Sequence, residues 1–62
     1  MGTYTDREIV RRLERDGWEE VKGQGKGSHR KFRKRGLGMT IVPKGTVYPA
    51  VYRNIAKKAG WQ

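Results

Sequence analysis

A chain of 62 residues with 15 Lys or Arg against six acids, for a formal net charge of +9, makes one small domain whose folded state buries only about 60% of the unfolded surface. It contains no cysteine, which excludes a disulfide framework and a thiolate metal site. No apolar run reaches the roughly 18 residues that a bilayer span needs, and the N-terminus lacks the basic-then-apolar layout of a signal peptide, so the expectation is a single domain over 1–62, cytoplasmic and without a membrane partner.

The charge is unevenly laid down. Residues 1–20 carry four Arg and six acids, for −2, whereas residues 21–62 carry eleven Lys or Arg and no acid, for +11. Solubility alone does not require an acid-free stretch of that length, and the pattern reads as the electrostatic footprint of a nucleic acid. A membrane surface would want an amphipathic helix with its cations along one side, which neither expected helix provides.

The first element is a helix beginning at Asp6. Thr5 and Glu8 have capping-box spacing, Tyr4 and Ile9 are placed for the hydrophobic staple, and Ile9, Val10 and Leu13 form an apolar stripe among charged neighbours. Gly17 ends it in the left-handed conformation, and Trp18 follows as a core aromatic beside Leu13. Residues 19–22 are a short first strand. Gly23, Gly25 and Gly27 make a flexible hairpin loop, with Lys26 among exposed amides that can accept a phosphate.

Gly27-Ser28-His29-Arg30-Lys31-Phe32-Arg33-Lys34-Arg35 is the central strand, and it packs the only histidine and five cations into nine residues. Alternation sends Phe32 to one face and His29, Lys31 and Arg33 to the other. Imidazole titrates nearest neutrality, so a histidine among fixed positive charges suits proton transfer on a phosphodiester. Gly36-Leu37-Gly38 is a tight turn, and residues 39–42 are a β-branched third strand closed by Pro43. Residues 44–48 read as a loop. Pro49 then opens a second helix carrying Val51, Tyr52, Ile55 and Ala59 on one flank, which stops at Gly60-Trp61 with Lys57 and Lys58 in its last turn.

The expected fold is α+β, in the order α-β-β-β-α, with an antiparallel three-stranded sheet and both helices on one face. Its expected core is Ile9, Leu13, Trp18, Val21, Phe32, Ile41, Val51 and Ile55.

Asp16-Gly17-Trp18 at the end of the first helix, Gly27-Ser28-His29, Val42-Pro43 closing a strand and Ile55-Ala56-Lys57-Lys58-Ala59-Gly60 in the last helix together resemble the HicA family of toxins over nearly the whole chain. The resemblance implies a fold like the double-stranded-RNA-binding domain, degradation of messenger RNA, and inhibition by a HicB antitoxin. It also implies that His29 is the catalytic histidine. Many members carry a second histidine just after the Val-Pro, where this chain reads Pro43-Lys44-Gly45. Many start the last helix with Gly-Thr, where this chain has Ala50-Val51, although Arg53 keeps the basic residue that follows.

The chemistry also follows from the residues. RNA supplies its own nucleophile, the 2′-hydroxyl, so a nuclease needs a base, donors for the phosphate charge and a proton for the leaving oxygen. His29 is the one candidate base near neutral pH, and Lys26, Ser28, Arg30, Lys31, Arg33, Lys34 and Arg35 are the expected RNA-binding residues. No cofactor or metal is expected, because all six acids fall within residues 6–20 and hard cations want clustered oxygens. The rival reading is a noncatalytic RNA-binding module in which the same strand contacts phosphates without cutting. A partner that covered the basic face would need an acidic contact surface.

Overall fold

The computed structural model describes residues 2–22 and 29–61. The expected glycine-rich hairpin loop, with Lys26 and Ser28, lies outside them.

Helix α1 (Asp6–Arg15) begins where the capping signal puts it. The Glu8 N–H donates to the Thr5 hydroxyl at 3.2 Å, and the Thr5 N–H donates back to the Glu8 carboxylate at 3.5 Å. Two otherwise orphaned amides are thereby satisfied. At the other end the Trp18 N–H donates to the Leu13 carbonyl at 2.9 Å and the Gly17 N–H to the Glu14 carbonyl at 3.0 Å. That double return requires the residue between the last turn and Trp18 to be left-handed, and Gly17 has φ +96°. Trp18 is thereby turned inward, 2% exposed.

Helix α2 (Pro49–Ala59) ends in the same way, with Gly60 left-handed and the Trp61 N–H donating to the Ala56 carbonyl at 2.8 Å. Trp61 stays half-buried and closes the gap between the helices. Its indole N–H donates to the Asp16 carboxylate at 2.6 Å, while the Arg12 guanidinium lies 4.2 Å above its ring and reaches the Tyr52 hydroxyl at 3.4 Å.

Strands β2 (Glu19–Glu20), β3 (His29–Lys34) and β4 (Gly38–Pro43) form an antiparallel sheet in the order β2-β3-β4. Ile9, Val10 and Leu13 of α1 and Ile55 of α2 meet Phe32 and Val42 in one core cluster. Both helices therefore cover a single face of the sheet, the expected α+β arrangement, and among the described residues the opposite face is bare. No helix among the described residues is long and apolar enough to cross a membrane.

Two expectations change. The chain does not start with α1, and residues 44–48 are not wholly loop: β1 (Tyr4–Thr5) pairs antiparallel with β5 (Thr46–Val47), and the Asp6 N–H donates to the Gly45 carbonyl at 2.9 Å. Strands of two residues are too short to leave a periodic signal in sequence. The pairing buries Val47 completely and holds Tyr4 against Tyr52, ring centroids 3.9 Å apart.

The core list also shifts. Phe32 lies opposite Thr40, so Thr40 and Val42 share its face, while Ile41 lies opposite Lys31 on the bare face and is 48% exposed. A strand reading Met-Thr-Ile-Val is apolar on both faces, and only the pairing register decides which set goes inward. Val10, Val42 and Val47 are buried in place of Ile41, Val21 and Val51, the last two being half-buried.

This register has a direct test. Phe32→Ala is expected to cost about 3–5 kcal/mol, a large part of the stability of so small a domain. Ile41→Ala is expected to stay within about 0.5 kcal/mol. Urea unfolding midpoints measure both, and an Ile41 variant as damaging as the Phe32 one would mean the opposite parity for β4.

Candidate nucleic-acid interface

Burial of Phe32 fixes the parity of β3, and with it the contents of the bare face. His29, Lys31 and Arg33 stand there in a row, His29 and Arg33 exposed and Lys31 half-buried. A strand repeats its side chains on one face every second residue, about 6.6 Å, so the row presents regularly spaced positive charge after the imidazole. His29 lies opposite Pro43 at the end of the sheet next to β5. Among the described residues its side chain has no hydrogen-bond partner.

The remaining expected RNA-binding residues divide differently. Arg30 points to the helix side, where it donates to both oxygens of Glu20, Nε at 3.0 Å and the terminal nitrogen at 2.8 Å. Its guanidinium lies 5.6 Å from the centroid of the Phe32 ring. The hydrogen bond from Arg30 is the main cause holding the Glu20 carboxyl below its usual range; burial opposes it, and the charges of Arg30, Lys22 and Lys44 add to the lowering. The same bond raises the Arg30 value. Lys34, also on the helix side, donates to the carbonyl oxygen of Asp16 at the end of α1. Arg35 is exposed in the turn after β3. Lys26 and Ser28 lie outside the described residues.

The structure thus brings together His29, Lys31 and Arg33, and gives Arg30 and Lys34 internal partners. The Arg30 pair has a positional consequence. It ties the residue next to His29 to β2, bidentately, at the start of a strand that follows a long connection. Sequence reasoning also missed the apolar part of the face: Met39, 44% exposed, and Ile41 lie opposite Arg33 and Lys31. The signal for them was the parity of β4, which an apolar tetrad does not reveal.

A family model described as "HicA toxin of bacterial toxin-antitoxin" matches residues 7–61. Among solved structures, the chain is similar to a toxin-antitoxin complex from Streptococcus pneumoniae, at 38% identity and a TM-score of 0.81, over 90% of this chain and 95% of that one. Among curated proteins none matches.

The Glu20–Arg30 pair predicts a pH dependence. A carboxyl whose folded value is depressed contributes fully above its ordinary value of 4.5, and the contribution is lost as pH falls through the folded value. Glu20→Gln should cost on the order of 1 kcal/mol at neutral pH, and its gap to the unmodified chain should close in acid. Urea midpoints of both proteins across that range test this, and a gap that stayed constant into acid would show that the carboxylate's charge contributes nothing.

Proposed function

The chain belongs to the HicA toxin family, and from that premise we propose that it is an endoribonuclease that cleaves messenger RNA with His29 as its base and without a metal. The observation that carries the reading is the exposed imidazole of His29 in line with Lys31 and Arg33 on the bare face of the sheet. In this scheme His29 removes the proton from a 2′-hydroxyl, the 2′-oxygen attacks the adjacent phosphorus, and the bond to the 5′-oxygen breaks, leaving a 2′,3′-cyclic phosphate. The leaving oxygen takes a proton from His29 in its protonated form, from a lysine or from water. Lys31 and Arg33 supply fixed positive charge where the equatorial oxygens become more negative, the term that usually dominates such catalysis. The chain has one histidine, so a pair of imidazoles is not part of the scheme, and RNA brings the nucleophile, so no metal is required to generate one.

His29→Gln is expected to lower cleavage about 10²–10⁴-fold while RNA affinity persists, because the cations that bind phosphates are untouched. A gel of RNA length beside a binding isotherm at fixed salt measures both. Undiminished cleavage by the variant removes His29 from the mechanism.

The solved relative is a toxin-antitoxin complex, and the reading extends a HicB-type antitoxin to this chain as its partner in the cytoplasm. A basic nuclease surface is silenced most directly by covering it, and charge complementarity then requires acids on the partner's contact surface. Met39 and Ile41, between the cations and the sheet edge, add an apolar strip that such a partner would bury. The complex should mask His29, Lys31 and Arg33, compete with RNA, and form faster at low salt than at high salt. Cleavage titrated against partner, with association rates at several salt concentrations, tests this. Cleavage unchanged at saturating partner would rule out masking.

A further inference from the structure

The row His29, Lys31, Arg33 continues past the end of the strand. At the β3–β4 turn the bare face runs into a shallow depression whose lining includes Glu19, Arg33, Arg35, Gly36 and Gly38. Gly36 and Gly38 have φ of +89° and +97°, and the Cβ position at Gly36 has nothing within 4 Å. The left-handed turn therefore keeps side chains off its own backbone. Lys58, from the last turn of α2, brings its ammonium 3.8 Å from where a Cβ on Gly38 would stand. Arg33, Lys34 and Arg35 line the depression, Lys34 held from below by the Asp16 carbonyl, with Glu19 as the one acid in the lining, and Lys58 stands at its margin beside Gly38.

We propose that this depression is a second phosphate subsite for RNA, in which Arg35 and Lys58 hold a backbone phosphate remote from the one at His29. The proposal rests on the RNA-cleaving reading above. His29 and Lys34 mark the two ends of β3, five residue steps or about 17 Å apart. A strand of RNA lying along the row would therefore bring a phosphate about two or three nucleotides from the scissile one to the turn. Two features favour RNA over an acidic protein segment as the occupant. Arg35 follows His29, Lys31 and Arg33 at the strand's two-residue spacing, and three of the eight residues lining the depression are cationic. The subsite would make substrate length, rather than base identity, a determinant of binding.

The test uses 2′-O-methyl oligonucleotides of mixed sequence, two and eight nucleotides long, which lack the nucleophile and stay whole. Each phosphate contact on a single strand contributes about 0.7 to the slope of log affinity against log salt. The double variant Arg35→Gln/Lys58→Gln should lower the slope for the eight-nucleotide ligand by about 0.7 and leave that for the dinucleotide alone, while Arg35→Lys/Lys58→Arg retains the full slope. An unchanged slope for the longer ligand overturns the subsite and leaves the nuclease reading standing. An equal drop for both lengths also overturns it, since that is the mark of a damaged fold. Failure of the unmodified protein to bind the longer ligand removes the nuclease reading and the subsite together.

Discussion

One buried ring decides the chemistry of this surface. Phe32 is fully buried between the sheet and the helices, and a strand cannot turn one side chain inward without turning its neighbours at odd spacing outward. His29, Lys31 and Arg33 are on the bare face because Phe32 is not. Slipping β3 by one residue against β4 would bury three polar side chains and expose the ring, so the hydrophobic term that stabilises the core also enforces the polarity of the face. Arg30 and Lys34 carry the cost of that parity, since they share Phe32's side. Each escapes it by reaching a partner at the margin of the core, Arg30 at Glu20 and Lys34 at the Asp16 carbonyl. One of the six acids in the sequence, Glu20, is thereby engaged in architecture.

Asp16 is where the elements are joined. Its carbonyl accepts from Lys34 of β3, its carboxylate accepts from the Trp61 indole beyond α2, and its own N–H closes the last turn of α1. In a domain with so thin a core, one residue that ties both helices to the central strand limits how far the layers can shift against each other. Arg12, stacked over Trp61 and bonded to Tyr52, and Tyr52 stacked on Tyr4 extend the same clasp to the N-terminal strand.

Local signals made much of this legible. The Thr5–Glu8 box, the Gly17-Trp18 and Gly60-Trp61 exits and Pro49 each act over a few residues, and the helix limits Asp6 and Pro49 stand where those signals put them. The alternation around Phe32 likewise gave the row containing His29, because a single aromatic among cations leaves one choice of inward face. Parity in β4 was not legible, because Met39, Thr40, Ile41 and Val42 satisfy either choice and the register with β3 selects between them. The pairing of β1 with β5 joins segments some forty residues apart in sequence through two residues each, below any local signal. The partners of Arg30 and Lys34, 10 and 18 residues away, were hidden as well: in sequence they are two more cations in a basic run, and only the fold brings an acid and a helix carbonyl to them.

The distribution of charge links the fold to its proposed use. All six acids precede residue 21, and Asp6 and Glu8 sit in the first turn of α1, where the helix dipole favours them. Glu20 and Asp16 are held by Arg30 and Trp61. Few carboxylates are thus left to neutralise the bare face, and the cations along β3 and its turn repel one another in the free protein. That repulsion is moderate in salt water, but it raises the free energy of the unliganded state relative to any state in which a polyanion or an acidic surface lies across the row. The arrangement that weakens the isolated domain is therefore the one that strengthens its complexes, whether the ligand is RNA or a covering partner. Because both would use the same charges, they would exclude each other without any change of shape.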